Sequence, residues 1–274
     1  MPNLSTSFLG LSLPSPVVLG SSSLSRSVDG VKRAEDAGAG AVVLKSLFEE
    51  QISAEVGAEA AETNLGVHPE AEEYVSGMGM RLGPEDYLSL IRSAREAVSI
   101  PVIASVNCVS PKWWGTYAKQ LEDAGAHAIE VNIGLLPRGV DEAGDSIDTR
   151  TVKIVNRVRS QVSVPLAVKI GPYYSSLANV TREIRKAGAQ GLVLFNRFYQ
   201  MDIDIENQQL KPGVQFSAPE EIYPTLRWLS LLYGRIGCDL AATTGIHNSE
   251  AAIKALLAGA GVVQMCTGVY RGGH

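Results

Sequence analysis

The stretch Ser163-Val164-Pro165-Leu166-Ala167-Val168-Lys169-Ile170-Gly171-Pro172 decides the fold of this chain. Leu166–Ile170 is a short apolar run closed by Gly-Pro, which is typical of a strand buried on both faces. Lys169 lies near its end, and Lys45 closes the similar run Ala41-Val42-Val43-Leu44. A buried ammonium is costly unless an anionic group meets it. Two such strands indicate an anionic ligand at one end of a barrel, and the alternative is that each lysine pairs with a nearby carboxylate or reaches solvent.

Two marks repeat along the chain and delimit its elements. Ala-Gly-Ala follows a helical pattern at Ala37, Ala124, Ala187 and Ala258, where glycine suits the left-handed residue after a helix end. Proline precedes an apolar run at Pro16, Pro101 and Pro165. Proline has no backbone N–H, but at the first residue of a strand the hydrogen bonds between strands do not require one. The marks alternate and give eight predicted strands: Val17–Leu19, Ala41–Leu44, Val102–Val106, Ala128–Val131, Leu166–Ile170, Leu192–Phe195, Leu240–Thr243 and Val262–Met265.

This alternation predicts an α/β protein, a (β/α)₈ or TIM barrel forming a single domain over residues 1–274. A doubly wound open sheet is the alternative, but the chain lacks its Gly-x-Gly-x-x-Gly turn. Leu4–Phe8 and Leu11–Leu13 predict an N-terminal β-hairpin that plugs the barrel floor. A second hairpin is predicted as an insertion after strand 6, between Asn196 and Ser217, over the mouth.

The segment after the eighth predicted strand is short. After the strand end Cys266-Thr267, only Gly268-Val269-Tyr270-Arg271-Gly272-Gly273-His274 follow, so we expect the eighth helix to be missing. Truncation, a covering partner or a wrong strand count would each explain this. We therefore expect the outward-facing members of Val262, Val263 and Met265 to leave apolar surface open.

Composition narrows the possible functions. The 274 residues are 45% hydrophobic and 19% charged with a formal net charge of −5, which argues against nucleic-acid binding. No run of 18 apolar residues and no signal-peptide pattern is present, so we expect neither a membrane span nor export. The three cysteines are far apart without metal-ligand spacing, which fits a reducing cytoplasm and predicts no metal site.

Every predicted strand ends on polar or small residues. In a barrel of this type the catalytic face is built from the carboxyl ends of the strands. Asparagine offers a donor and an acceptor to the edge of a planar heterocycle, and lysines beside a flavin N1/O2 edge would stabilise the anion formed on reduction. Small residues after the last two strands suit a phosphate. The pattern alone does not separate a flavin from another phosphorylated ligand.

Long ordered runs carry a resemblance to a known family. They include Asn3-Leu4-Ser5-Thr6-Ser7-Phe8-Leu9-Gly10-Leu11, Leu44-Lys45-Ser46-Leu47-Phe48-Glu49-Glu50-Gln51, Glu130-Val131-Asn132, Ala167-Val168-Lys169 and Leu192-Val193-Leu194-Phe195-Asn196-Arg197-Phe198-Tyr199. The chain resembles the class 1 dihydroorotate dehydrogenase family of FMN-dependent barrels, in its dihydroorotate dehydrogenase-like branch. The resemblance implies an FMN oxidoreductase of pyrimidine biosynthesis that acts on the CH–CH group of a small substrate.

The resemblance also implies roles for individual residues. The implied cofactor-binding residues are Gly20, Ser21, Ser22, Lys45, Ser46, Asn107, Asn132, Lys169, Phe195, Thr244, Gly245, Cys266 and Thr267. Lys169 is placed near flavin N1, and the residues from Thr244 onward are placed at the phosphate. Lys45, Asn132 and Asn196 are the implied catalytic residues, with Asn196 on the substrate side.

Three departures from the family concern the site. The family's substrate asparagine in the loop after the second strand has no clear match near Ser76-Gly77-Met78-Gly79. The family usually has Gly-Gly where this chain has Thr244-Gly245. Its proton acceptor is a cysteine or serine after the fourth strand, where this chain has Leu135, which cannot accept a proton. Cys108 and Ser110, after the third strand, are the nearest replacement candidates. The flavin half of the site is therefore expected to be kept and the orotate half altered.

Three functions remain open from the sequence. The first is an FMN oxidoreductase acting on dihydroorotate or a related small substrate, with electrons passing to an acceptor protein or a small acceptor. The second is a non-redox phosphate-binding lyase or isomerase that uses Lys169 as a Schiff-base or general-base amine. The third is a catalytically degenerate flavin-fold subunit. We also expect a homodimer.

Overall fold

The computed structural model describes residues 3–48, 84–107, 114–137, 139–197, 200–213 and 216–273. Eight parallel strands form its central sheet: β3 (Val17–Leu19), β4 (Ala41–Val43), β6 (Val102–Asn107), β7 (Ala128–Ile133), β8 (Leu166–Ile170), β9 (Gly191–Leu194), β12 (Asp239–Ala242) and β13 (Val262–Met265). They pair in the order β4-β3-β13-β12-β9-β8-β7-β6, and a further pairing of β4 with β6 closes the ring. The predicted (β/α)₈ barrel is confirmed.

Helices surround the barrel. The described ones are α1 (Val28–Asp36), α2 (Pro84–Ala97), α3 (Trp114–Asp123), α4 (Gly144–Arg159), α5 (Leu177–Lys186), α6 (Ile222–Leu232), α7 (Ser249–Leu257) and α8 (Thr267–Gly272). Ser27 and Asn248 are N-caps, since their side chains accept from Gly30 N and Ala251 N. The glycines of all four Ala-Gly-Ala marks have positive φ, from 89° at Gly38 to 114° at Gly259. No helix in the described ranges is both long and apolar enough to cross a membrane.

The predicted hairpin at the N-terminus closes the barrel floor. Strands β1 (Thr6–Phe8) and β2 (Leu11–Leu13) pair antiparallel. Phe8, Leu9 and Leu13 are buried in one cluster with the lower interior residues of the barrel. A Cβ at Gly191 would lie 2.6 Å from Leu9 Cδ2, so the absence of a side chain there admits the plug. The second predicted hairpin is also present, as β10 (Met201–Asp204) and β11 (Gln209–Pro212).

The expectation for the end of the chain is wrong. The six-residue helix α8 follows β13, and Val262 and Val263 are fully buried. Helix α7 packs against β13. A nine-residue helix is about 13 Å long and a four-residue strand about the same, so one helix can cover this strand. The sequence analysis missed the coverage of β13 by α7 because it assumed one following helix for each strand and did not compare the lengths of helices and strands.

Carboxylates at the ends of two helices hold the turns that enter neighbouring strands. Glu122 Oε1 on α3 accepts hydrogen bonds from Ser163 N at 3.0 Å, Ser163 Oγ and Val164 N at 3.0 Å. Glu35 on α1 does the same for Ser99 and Ile100. Although burial raises it, the hydrogen bonds to Ser163 and Val164 hold the pKa of Glu122 at about 2, below its ordinary value of 4.5.

We expect Glu122→Gln to destabilise the fold at neutral pH by about 1.5–3 kcal/mol, the usual contribution of hydrogen bonds to a charged group. Because the folded-state pKa is lowered, this stabilisation is present above pH 4.5 and is lost as pH falls towards about 2. Urea unfolding from pH 7 to 3 should therefore show the two proteins converging in acid. Glu250→Gln, at an exposed Glu250–Lys254 pair, is the control and should track the parent at every pH.

Candidate functional site

Alternation along the strands sends polar side chains into the upper barrel. Residues at every second position face the interior, so Asn132 points inward from β7 above Glu130, and Lys169 points inward from β8 above Ala167. Asn107 is registered against Asn132, and Asn132 against Lys169, across three adjacent strands. These three predicted residues are therefore neighbours in one row, and each is buried. The barrel register thus places three residues from separate sequence motifs next to one another, and their role at a flavin stays a prediction.

The second barrel strand is interrupted where Lys45 and Ser46 stand. The predicted strand Ala41–Leu44 ends at Val43, and the chain rejoins the sheet as β5 (Leu47–Phe48), which pairs with the end of β6. The irregular residues between let Lys45 and Ser46 both lie buried at the mouth. Lys45 Nζ lies 6.0 Å from the centre of the Phe48 ring. Both lysines thus stand at the same end of the barrel, as predicted.

A chain of hydroxyl groups fixes the first two strand ends. Ser21 Oγ lies 2.9 Å from Ser46 Oγ, which lies 2.8 Å from Ser105 Oγ. Ser46 N also donates to Ser21 Oγ at 2.9 Å. Gly20 N donates to Met265 O, and a Cβ at Gly20 would lie 2.7 Å from Cys266 Sγ. The ends of β3, β4 and β13 are thereby held together in close contact.

The predicted phosphate end has an unusual backbone. Thr244 and Gly245 both have positive φ, 69° and 76°. A positive φ is sterically unfavourable for threonine. Thr244 Oγ1 donates to Phe195 O at 3.0 Å, and this hydrogen bond helps to hold Thr244 in that conformation. Ser217 connects the turn after β12 to the residue that follows β13. Its Oγ accepts from Gly245 N at 3.4 Å, and its N donates to Thr267 Oγ1 at 3.3 Å. The structure thus brings Thr244, Gly245 and Thr267 into one cluster.

His247 belongs to the same cluster. Its Nε2 lies 3.0 Å from Ser217 Oγ. Burial lowers the pKa of His247, and the nearby Arg271 lowers it further. A neutral ring that accepts from Ser217 would leave that serine oxygen free to accept from Gly245 N. His247 therefore supports the turn after β12 rather than bringing charge to it.

Several buried polar atoms at the mouth lack a hydrogen-bond partner among the described residues. They are Ser22 Oγ after β3, Asn132 Oδ1 on β7 and Asn196 Nδ2 after β9. Asn196 follows Phe195, and both are buried, with Asn196 N donating to Ile170 O at 2.8 Å. Buried polar groups in native proteins are almost always paired. Three unpaired ones at one end of the barrel indicate a place for a polar ligand.

A charged pair lies just below this row. Lys169 Nζ is 3.8 Å from Glu130 Oε1, and Gln264 Nε2 on β13 donates to Glu130 Oε2 at 2.5 Å. Glu130 is 1% exposed and Gln264 2%. Pairing of Lys169 with a carboxylate was the alternative to an anionic ligand, and the structure shows that this pairing exists. It leaves Asn132 Oδ1 and Asn196 Nδ2 without a hydrogen-bond partner among the described residues.

Comparison with known proteins decides the family. The family model for dihydroorotate dehydrogenase matches residues 3–274, nearly the entire chain. The chain belongs to the dihydroorotate dehydrogenase family. A protein of Aeropyrum pernix provisionally named dihydroorotate dehydrogenase A (fumarate) is 29% identical over 96% of this chain and 85% of its own length. Catalytic subunits of dihydroorotate dehydrogenase B (NAD(+)) from Thermoplasma volcanium and Thermoplasma acidophilum are each 28% identical, covering 100% and 98% of this chain and 89% and 88% of their own.

The loop after β7 departs from the dihydroorotate dehydrogenase pattern that the sequence resembles. Gly134-Leu135-Leu136-Pro137 offers no side chain that accepts a proton. Leu135 is partly buried against the core between strands and helices, whereas Leu136 is 45% exposed. Arg150 on α4 holds the loop by donating to Leu136 O at 3.2 Å. The replacement candidates Cys108 and Ser110 lie outside the described residues.

Sequence reasoning gave no role to Glu130, Gln264 or Ser217. A signal for the first two was present, since each is a polar residue at an inward-facing position of an otherwise apolar strand. Glu130 stands two residues before Asn132, and alternation alone places both on the same face. No pattern pointed to Ser217, because its partners His247 and Thr267 are 30 and 50 residues away.

We expect Gly245→Ala to disrupt the cluster around Thr244, Gly245 and Thr267, which is the predicted phosphate end of the site. Its φ of 76° is unfavourable for alanine, and the new Cβ would lie 2.4 Å from Ile222 N at the start of α6. The left-handed conformation alone costs about 1–2 kcal/mol, and the backbone contact adds to it. Gly234→Ala is the matched control, with φ of 70° but nothing within 4 Å. Equal unfolding free energies for the two variants would contradict the close contact at Gly245.

Proposed function

We propose that this chain is an FMN-dependent oxidoreductase of the dihydroorotate dehydrogenase type, acting on dihydroorotate or a related small substrate. Membership of the family supports the reaction class. The single structural observation that carries the proposal is the set of unpartnered buried atoms at the mouth, on Ser22, Asn132 and Asn196. Their donors and acceptors fit the edge of a flavin ring, which presents both.

The residues present fit the cofactor in two groups. Ser21, Ser22, Lys45, Ser46, Asn107, Asn132 and Lys169 would hold the ring, and Thr244, Gly245, Cys266 and Thr267 would hold the phosphate. When bound, FMN would supply the hydride acceptor that no amino-acid side chain provides. The lysines would contribute positive charge beside the ring, and the closed floor at Leu9 would exclude water from below.

Flavin content tests the proposal directly. The purified protein should be yellow and should release about one FMN per chain on denaturation. Colourless protein that also fails to take up added FMN would sink the proposal. Trapping a carbonyl substrate on Lys169 with borohydride would instead support the non-redox alternative.

We propose that the electron acceptor is a separate small molecule or protein subunit. The relatives differ on this point, since one is named for fumarate and others are named as catalytic subunits of an enzyme named for NAD(+). The name "catalytic subunit" supports a second kind of subunit in those relatives. Anaerobic reoxidation of the reduced protein by fumarate or by NAD(+) would separate a small acceptor from a requirement for another subunit.

We also propose that the chain forms a homodimer, and that the hairpin β10–β11 contributes to its interface. Met201 and Ile203 lie on one face of the hairpin, where Ile203 is registered against Leu210, and these three side chains are more than half exposed. The other face is polar and pairs Lys211 with Asp202 at 3.5 Å. Apolar faces of this kind usually mark contact surfaces.

We expect Ile203→Asp to shift the protein from dimer to monomer in light scattering, because it places a charge in the proposed apolar contact. Asp202→Asn, on the polar face of the same strand, is the control and should leave the mass unchanged. A parent protein that is monomeric at all concentrations would contradict the homodimer. A dimer that Ile203→Asp leaves intact would place the interface elsewhere.

A further inference from the structure

Glu130 is a buried carboxylate that crosses the barrel interior. It lies on β7, reaches Lys169 on the adjacent strand, and accepts a hydrogen bond from Gln264 on β13, which is the eighth strand of the ring. Glu130 Oε1 and Gln264 Oε1 have no hydrogen-bond partner among the described residues. Gln264 therefore holds one oxygen of the Glu130 carboxylate in place, whereas the other oxygen accepts no hydrogen bond from the described residues.

Stability alone does not account for a carboxylate at this position. Two charges removed from water pay a desolvation cost that their attraction often fails to repay, and apolar replacements of buried pairs are commonly neutral or stabilising. The neighbouring interior positions hold Ala128, Ala167 and Val193, and Ser105, which is registered against Glu130, is engaged by Ser46, so apolar packing is available on the other sides. A carboxylate kept there points to a role in the site directly above it.

We propose that Glu130 is a positioning residue that fixes the Lys169 ammonium at the proposed flavin site and would offset part of its positive charge there. This inference rests on the proposed function, because it concerns the flavin site. Gln264 holds the carboxylate from across the barrel, so its distance from Lys169 is set by two strands rather than by one flexible side chain.

The sign of the effect follows from charge. Flavin gains negative charge on reduction, so a nearby ammonium favours the reduced form and a nearby carboxylate disfavours it. Burial strengthens both effects because water screens them less, and Glu130 is 1% and Lys169 8% exposed. Glu130 therefore lowers the reduction potential of the bound flavin relative to a site with Lys169 alone, and it limits the preference for the reduced cofactor.

The test is the midpoint potential of bound FMN in the full-length protein, measured by anaerobic dye titration. Glu130→Gln keeps the shape and removes the charge, so the ratio of affinities for reduced and oxidised FMN should rise tenfold or more. For a two-electron couple a tenfold change is about 30 mV. An unchanged or lower potential in a variant that binds FMN would overturn the inference. Failure of the parent protein to bind FMN would count against the proposed function instead.

A second variant keeps the test available if Glu130→Gln does not fold. Glu130→Asp retains the charge but withdraws it from Lys169 by one methylene, so the ratio should rise by a smaller factor, about two- to fivefold. Lys169→Met should shift the ratio in the opposite direction. A purely structural role for Glu130 would lower the thermal stability of both Glu130 variants without moving the potential, and that outcome too would overturn the inference.

Discussion

Dihydroorotate is expected to reduce the bound flavin of this protein slowly. In the family that this chain resembles, a cysteine or serine in the loop after the fourth strand accepts the proton. This chain has Leu135 at that position, and no other side chain of the loop Gly134–Pro137 can accept a proton. General-base catalysis contributes about 10²–10⁴-fold, so its loss should reduce the rate by that factor. Anaerobic stopped-flow mixing of the FMN-loaded protein with dihydroorotate measures the step directly. A rate typical of enzymes, on the order of 10 s⁻¹, would contradict the prediction.

Restoring an acceptor provides the complementary experiment. Leu135→Cys or Leu135→Ser should raise the rate of flavin reduction by dihydroorotate if the loop places this position beside the substrate. Leu136→Ser is the matched control, because Leu136 is the adjacent residue, is 45% exposed and should not raise the rate. If the parent reacts fast and Cys108→Ala or Ser110→Ala abolishes the reaction, the base has moved to the loop after the third strand.

Replacement of Lys169 should weaken FMN binding by about 30-fold or more. Removing one partner of a buried, charge-assisted contact typically costs about 2–5 kcal/mol, and each 1.4 kcal/mol is a factor of ten. Lys169→Met keeps the length of the side chain and leaves Glu130 without its ion pair. Fluorescence titration of the apoprotein with FMN measures the affinity, and urea unfolding of the apoprotein reports any loss of stability separately.

The control for Lys169 is a lysine of the same length outside the site. Lys186 on α5 has a side chain that is 63% exposed, and Lys186→Met should bind FMN like the parent. Lys45→Met tests the second lysine and should also weaken binding, since Lys45 stands at the same end of the barrel. Unchanged affinity and unchanged reduction potential in Lys169→Met would show that the flavin ring does not lie beside this residue.

The sequence by itself determined the barrel and the floor hairpin. Proline before three of the apolar runs and glycine after four of the helices are local requirements of backbone geometry, so they can be recognised without any contact between distant residues. Val17–Leu19, Leu166–Ile170 and Val262–Met265 were predicted with their observed bounds. Lys45 and Lys169 were placed at one end because parallel strands all finish at the same edge.

Only the tertiary structure decided how the strand ends meet. The break at Leu44–Ser46, which turns Lys45 into the mouth, depends on the pairing of Leu47–Phe48 with β6. The burial of Val263 depends on α7, a helix from the preceding unit of the barrel. The contact between Glu130 and Gln264 joins residues 134 positions apart, and no local pattern encodes it. Local backbone preferences determine where helices and strands begin and end. The strand register and the closure of the barrel determine which side chains come into contact at its mouth and in its interior.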